Sequence, residues 1–411
     1  MTQTKPAPPA PNPLREVRSL GQAAAGADDA AVARIVGFLD GLAERGELDR
    51  ILEPVRPRLR GLGTPRRLRF PRLLFLPLDG AIVSPADWAR GEATVPRSAL
   101  RPLAAAVQRA MGPRGAAIAE EVLRHTTQAT ALIGRIGEEV WPAAARLLPE
   151  VPPTGWEDSG LAPRDYDAIA ALCRPLWAAG PAVWAAMTMA AQGPPEGVAQ
   201  AALEAVAPAG PEALAIALAT LLRGATAPGR LLQAASSLHP QARRVAQVAL
   251  DAVMDSPLPP FATLPPPQTV AAALTLADRL DDMGTCALLT SDRQKRLAAC
   301  RHRAEAAFRA SYLTTVQEHL LQPVERLGAA AEVQDADVSA METAARQLRA
   351  LEAAGRRLGG AMHYDVATQR MTARIAALLP AAGQSGGLRP MDLARCIEIL
   401  AGPEAAAAVL G

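Results

Sequence analysis

Residues 211–222, PEALAIALATLL, show the composition that decides the fold class. Alanine and leucine are the strongest helix formers, and a proline at the first helical position costs no hydrogen bond. More than one residue in five is alanine, whereas only 3% of the chain is aromatic. β-Sheets draw on Val, Ile, Thr and aromatic side chains, so a large sheet is disfavoured. The sequence therefore predicts an all-α protein with a multi-helix bundle.

Prolines stand near the start of successive apolar segments within residues 163–256, at positions 163, 181, 195, 211 and 240. The segments between them are rich in alanine and leucine. This pattern predicts a bundle of short antiparallel helices that pack closely through alanine faces. The alternative is an irregular α-solenoid, which is less favoured because the spacing varies and no side-chain signature recurs.

The last third of the chain predicts a helical hairpin. Helices are expected over 268–289, over 292–327 with a kink at Pro323, and over 335–362. Apolar residues alternate by three and four in the last of these, as in a coiled-coil seam: Met341, Ala344, Leu348, Leu351, Gly355, Leu358 and Met362. The preceding helix carries Leu313, Val316, Leu320, Val324 and Leu327. So short a seam favours packing within the chain over a dimer.

Shifts in composition divide the chain into segments. Helices are expected over about 30–45 and 98–111, and a long one from Pro113 toward Val140. The expected organisation is a disordered Pro/Ala-rich tail (1–27), an N-terminal helical region (28–150) with an Arg/Pro-rich insert (54–97), an Ala-rich short-helix bundle (163–256), a Pro-rich linker (257–267) and a C-terminal helical domain (268–411).

The insert 54–97 differs from its surroundings because its prolines exclude long helices. Within it, Asp79-Gly80 stands between the apolar runs 73–78 and 81–83. An Asp-Gly pair between apolar runs is a β-turn signal. A small β-hairpin near 72–83 is therefore expected, packed against helices.

The same insert holds the candidate binding residues. No acidic residue occurs from 54 to 78. Clustered guanidinium groups suit anions such as phosphate, and aromatic side chains among them could stack on single-stranded bases. The candidates are Arg56, Arg58, Arg60, Arg66, Arg67, Arg69, Arg72, Phe70 and Phe75. Four interpretations stay open: an acidic protein partner, an anionic membrane surface, nucleic acid, or a solvated or internally paired basic face.

Motifs for catalysis are weak. Glycine-rich phosphate loops and a nucleophile elbow do not occur, and the histidines have the spacing of neither a di-iron bundle nor a zinc site. Asp278, Asp281 and Asp282 share one helix face and are a weak candidate for Mg²⁺, but a second acidic motif is missing. The sequence therefore predicts no cofactor and no catalytic residue.

The cysteines and the N-terminal residues indicate the cellular compartment. Four cysteines stand far apart, and the first residues lack the apolar core of a secretory signal. Residues 175–192 carry no charge, but Gly180 and Pro181 interrupt them, so two short buried helices are expected there instead of a transmembrane span. The interpretation is a soluble, cytoplasmic protein with reduced thiols.

Three functional hypotheses result. The leading one is a non-enzymatic scaffold or adaptor that binds a protein partner through helical grooves and the basic segment 56–78. The second is a nucleic-acid-associated regulator that uses the same arginines. The third is a Mg²⁺-dependent all-α enzyme that uses Asp278, Asp281 and Asp282.

Overall fold

A computed structural model describes residues 13–42, 48, 51–52, 55, 66–190, 196–330, 332–382 and 388–410. Helix makes up 79% of the structure, which confirms the all-α multi-helix fold. The helices of the described residues are α1 Pro13–Gly26, α2 Asp29–Gly41, α3 Phe70–Leu74, α4 Leu100–Ala110, α5 Gly112–Leu123, α6 Thr130–Leu147, α7 Pro163–Ala178, α8 Gly180–Ala190, α9 Glu196–Val206, α10 Pro211–Gly224, α11 Pro228–Leu238, α12 Pro240–Met254, α13 Pro266–Gly284, α14 Ser291–Thr315, α15 Gln322–Gly328, α16 Asp335–Leu358, α17 Ala361–Ala376, α18 Pro390–Ala401 and α19 Pro403–Leu410.

The chain divides into two compact units, residues 1–184 and 185–411. The division falls within α8, whereas the sequence suggested a division between residues 150 and 163 and a linker over 257–267. Residues 149–162 lie inside unit 1, where Trp156 is buried and its indole nitrogen donates to the Ala162 carbonyl at 3.2 Å. Residues 257–267 lie inside unit 2, where Phe261 is buried against Phe308. Each proline-rich stretch is thus fixed to its own unit by a buried aromatic side chain.

In unit 1, two buried tryptophans hold the short helix α3. The Trp141 indole donates to the Leu73 carbonyl at 3.0 Å, and the Trp177 indole donates to the Leu74 carbonyl at 2.8 Å. Carbonyls at the end of a helix have no partner within the helix. The two indoles supply those partners, so a helix of only five residues persists in the core.

The hairpin expected near 72–83 does not form. Residues Leu76–Ala81 follow α3 as a 3₁₀-helix that contains Asp79-Gly80. Only the end of the expected segment is strand: β1, Ile82–Val83, pairs in parallel with β2, Val95–Pro96. Pro71 occupies the first turn of α3 and favours a helical start. The side chains after it are buried without strand-like alternation, as in a buried helix.

Two further expectations for unit 1 are wrong. Residues 13–26 form helix α1 and not part of a disordered tail; residues 1–12 lie outside the described part. The long helix expected over 113–140 is interrupted, because α5 ends at Leu123 and α6 begins at Thr130. The residues between them pair with the basic segment.

Unit 2 contains the alanine-rich helices, and prolines begin many of them as expected. Pro211 and Pro240 open α10 and α12, and Pro228 and Pro266 open α11 and α13. Alanines on these helices are buried, which brings neighbouring helices close together: Ala213, Ala217, Ala235, Ala242, Ala246, Ala273 and Ala277.

The expected helical hairpin of unit 2 is present, with changes at its ends. A π-helical turn, Val316–Leu321, joins α14 to α15 just before Pro323, which has no N–H for a regular helical bond. Five predicted seam residues of α16 are buried: Met341, Leu348, Leu351, Gly355 and Leu358. Leu313 and Met362 are exposed instead. Met362 lies beyond the helix end, since Gly359 and Gly360 have positive φ angles.

Crossing a bilayer takes a long, apolar helix, and the described part of the chain contains none. The described part of the uncharged stretch, residues 175–190, is divided between α7 and α8 at Ala179. Trp177 and Val183 are fully buried in unit 1, so this stretch serves as protein core.

Replacing Gly137 by alanine is expected to destabilise unit 1. A Cβ at this position would overlap the ring of Trp141, which is fully buried and cannot move aside. Overpacking of this kind costs about 1–3 kcal/mol. Denaturant unfolding of the whole chain, followed by tryptophan fluorescence, measures the change.

Gly37→Ala is the matched control, because Gly37 lies within α2 and a Cβ there would meet nothing within 4 Å. Alanine is the better helix former, so this variant should gain about 0.5–1 kcal/mol. Changes of the same sign in both variants would contradict the proposed packing of Trp141.

Candidate functional site

The carboxylate of Asp40, at the end of α2, fixes the basic segment in unit 1. Asp40 is only 6% exposed. It accepts from Arg66 Nε at 2.8 Å and from Arg66 Nη2 at 3.1 Å, and the Arg67 backbone N–H is 3.3 Å away. A bidentate guanidinium–carboxylate pair fixes direction as well as distance. This ion pair therefore sets the path of the chain at residues 66–67.

Backbone hydrogen bonds hold the same segment on its other side. Leu68 N–H donates to the His125 carbonyl, and Thr127 N–H donates to the Arg66 carbonyl, both at 2.9 Å. Arg67 and Thr126 are thus an antiparallel pair between these two bonds. In such a pair the two side chains lie close together on one face. The break between α5 and α6 consequently places Thr126 beside Arg67.

A cleft of about 380 Å³ opens at this pair and is called the Arg67 cleft below. Its lining residues are Arg67, Glu120, Leu123, Arg124, His125 and Thr126. Arg124 Nη2 donates to Glu120 at 2.6 Å across one turn of helix, and both side chains are more than 70% exposed. Leu123 is half-buried, and the Arg67 and His125 side chains are exposed. The cleft is therefore basic, with one apolar wall residue.

Strand alternation explains why Arg67 differs from its neighbours. Arg66 points to Asp40 and is 13% exposed, and Leu68 is fully buried. Arg67 lies between them and points to the opposite side. Its guanidinium donates to no acceptor in the described part of the chain.

The candidate arginines thus do not form one continuous basic face. Arg56, Arg58 and Arg60 lie outside the described residues. Arg66 is paired internally, and Arg69 Nη2 donates to the Leu42 carbonyl, so these two arginines stabilise the fold. Arg72 is exposed in the last turn of α3. Among the candidates that the structure describes, only Arg67 lines the cleft.

Phe70 and Phe75 are core residues, which corrects the expectation of a stacking surface. Each is only 2% exposed, and the Phe75 ring lies 5.4 Å from that of Trp177. A base could not stack on either ring without unfolding of α3. The sequence alone did not distinguish these buried phenylalanines from exposed ones, because prolines obscure the periodicity around them.

The three aspartates of the acidic motif are engaged by arginines and backbone amides of unit 2. Arg357 donates to Asp278 at 2.6 Å and to Asp281 at 3.3 Å. Arg301 also donates to Asp281. Asp282 turns away and accepts from the backbone N–H groups of Gly229 and Arg230 at the start of α11. The motif therefore ties α13 to three other helices, α11, α14 and α16, and its carboxylates do not converge on a metal-sized space.

Other reactive side chains are dispersed. Burial raises the pKa of the Cys173 thiol, and burial raises that of Cys396 to about 12, so both thiols stay protonated at neutral pH. The described residues contain no group of three or more His, Cys, Asp or Glu in an arrangement that could hold a metal ion. His239 Nδ1 accepts from the Ala242 N–H at the start of α12, which is a structural role.

Sequence reasoning missed most of the cleft. Asp40 is 26 residues from Arg66, and only the fold brings them together. The continuous helix expected over residues 124–126 gave Arg124 and Thr126 no role, and His125 was weighed only as a metal ligand and interpreted as an ordinary surface or boundary residue. The one available signal was Thr126-Thr127, two adjacent β-branched residues that weaken a helix.

No protein-family model, curated protein or solved structure matches the chain.

Replacing Asp40 by alanine should destabilise unit 1 by about 3 kcal/mol, because it leaves the guanidinium of Arg66 largely buried without its carboxylate. The double variant Asp40→Leu with Arg66→Met should recover most of this loss, since it removes both charges. Denaturant unfolding of the two variants gives the comparison.

Glu139→Ala serves as the control, because the Arg114–Glu139 pair is exposed. Exposed ion pairs contribute little to stability, so this variant should unfold almost as the unchanged chain does. Equal losses for Asp40→Ala and Glu139→Ala would show that Asp40 is not an anchor.

Replacing Asp282 by alanine should cost about 1 kcal/mol, because the amides at the start of α11 lose their acceptor. Asp278→Ala should leave stability nearly unchanged, since that side chain is 61% exposed. Thermal unfolding of both variants tests this difference. A larger loss for Asp278→Ala would contradict the structural role assigned to Asp282.

Proposed function

We propose that this protein is a non-enzymatic adaptor that binds an acidic segment of a protein partner at the Arg67 cleft. The observation that carries the proposal is the exposed guanidinium of Arg67, which lines the cleft and has no acceptor in the described residues, on a backbone fixed by hydrogen bonds. Elsewhere the described chain pairs many of its arginines with carboxylates. A guanidinium without an internal acceptor can form a bidentate hydrogen-bonded pair with an anion from a partner.

The electrostatics of the cleft favour an acidic partner. Two guanidinium groups, those of Arg67 and Arg124, face one carboxylate, that of Glu120. The Arg124–Glu120 pair is exposed and thus weak, so an incoming anion can compete for Arg124. Leu123 offers apolar contact beside the charges, which fits a peptide segment better than a bare ion.

The nucleic-acid hypothesis has less support. Phe70 and Phe75 lie in the core, so they do not provide stacking surfaces. Arg66 and Arg69 are engaged inside unit 1. Nucleic acid is therefore an alternative outcome of the test below, and no separate proposal is made for it.

Affinity capture with the full chain as bait tests the adaptor hypothesis. A partner recovered with the unchanged chain should be lost when Arg67 and Arg124 are both replaced by glutamate. The loss should also follow from raising the salt concentration, since exposed charge pairs are screened by salt. Quantitative mass spectrometry of the captured proteins gives the readout.

The matched control replaces Arg101 and Arg109 by glutamate. These exposed arginines of α4 do not line the cleft, so the same charge change there should leave capture intact. Loss in both double variants would indicate a non-specific charge effect and overturn the cleft assignment. Capture that disappears after nuclease treatment would favour nucleic acid instead, and no stoichiometric partner in repeated captures would remove the proposal.

A further inference from the structure

We infer that the Arg67 cleft recognises a phosphorylated serine or threonine side chain of the protein partner. The inference rests on the proposed function and names the chemistry of the group that is bound. It follows from the number of donors in the cleft, from the competing carboxylate and from the apolar wall.

The Arg67 cleft offers more hydrogen-bond donors than a carboxylate can engage. Arg67 and Arg124 each offer a planar fork of N–H groups, and His125 adds a ring nitrogen. The Thr126 hydroxyl accepts from the Gln128 N–H at 3.4 Å, which leaves its own proton to donate. A carboxylate has two oxygens, whereas a phosphoryl group presents three oxygens that accept strongly. The donor set therefore fits a phosphoryl group.

The carboxylate of Glu120 favours a phosphoryl group over a carboxylate as the ligand. Glu120 already holds Arg124 at 2.6 Å, so a glutamate or aspartate of a partner would only exchange one carboxylate for another. A phosphoryl group carries nearly two negative charges at neutral pH. It can engage Arg67 and Arg124 together and displace Glu120 from the latter.

The basic segment gives the cleft its preorganisation. Asp40 and the backbone bonds to residues 125 and 127 fix the backbone of Arg67 before any ligand arrives. Thr126 is fixed by the same pairing. Because the backbone is already fixed, binding has to order only the side chains, which lowers its entropic cost. The half-buried Leu123 next to them provides apolar contact for residues that flank a phosphorylated side chain, which free phosphate lacks.

Binding of degenerate peptide libraries to the full chain tests the inference. The probes are fluorescein-labelled nonapeptides with a fixed central phosphoserine, and matched libraries with serine or glutamate at the centre. Fluorescence anisotropy should show the phosphoserine library binding at least about tenfold more tightly than either of the others, as expected for one additional charge-assisted interaction. Inorganic phosphate and a single-stranded oligothymidylate are measured as competitors.

Variants separate recognition from general charge. Arg67→Ala and Arg124→Ala should each weaken phosphopeptide binding about tenfold, whereas Arg101→Ala with Arg109→Ala should not change it. Glu120→Gln should tighten binding, because it frees Arg124 from its internal carboxylate. A purely structural role for the cleft residues would not produce this gain. Unfolding midpoints by circular dichroism confirm that the variants are folded.

Several results would overturn the inference. Equal affinity for the phosphoserine and glutamate libraries would show that the cleft does not distinguish a phosphoryl group. Weaker binding of Glu120→Gln would show that Glu120 contacts the ligand. Tighter binding of the oligothymidylate would identify a nucleic-acid phosphate as the ligand. If a captured partner still binds after phosphatase treatment and still depends on Arg67, the adaptor proposal stands and the phosphoryl inference fails.

Discussion

Unit 1 depends on one constraint: the backbone of its proline-rich segment must find hydrogen-bond partners outside a long helix. Prolines limit α3 to five residues, and buried backbone groups without partners are costly. The indole N–H groups of Trp141 and Trp177 donate hydrogen bonds to the carbonyls at the end of α3. Asp40 and residues 125–127 provide the hydrogen-bond partners for the backbone of residues 66–68. The Arg67 cleft arises where the last of these pairings is made.

In unit 2 the main constraint is different, because charged side chains are buried among closely packed helices. Glu352 of α16 is 1% exposed and accepts from Arg349 and from Arg356, each at 2.9 Å. Nearby, Gly355 lets the ring of Tyr364 lie across α16, where a Cβ would overlap it. Burial raises the pKa of the Tyr364 hydroxyl, so it stays neutral. The core of unit 2 is thus partly polar, and its two tyrosines, Tyr312 and Tyr364, lie close to buried glutamates.

Arginine abundance by itself says little about partners in this chain. The sequence has a formal charge of only +2, and many described arginines face carboxylates of their own unit. Exposed pairs of this kind add little stability, but they neutralise the surface locally. The environment of each guanidinium, and not the number of arginines, therefore separates a structural arginine from a binding one.

The sequence by itself determined the helical class, the prolines that begin many helices and the C-terminal hairpin, because these features depend on residues close together along the chain. Only the tertiary structure decided that residues 72–74 and 76–81 are helical, that Phe70 and Phe75 are buried, and that Arg66 and Arg67 point in opposite directions. The partners that settle these points are distant in sequence: Asp40, Trp141, Trp177 and the break at residues 124–129. A local pattern gives the charge and propensity of a segment, whereas the groups that neutralise or bury it come from elsewhere in the fold.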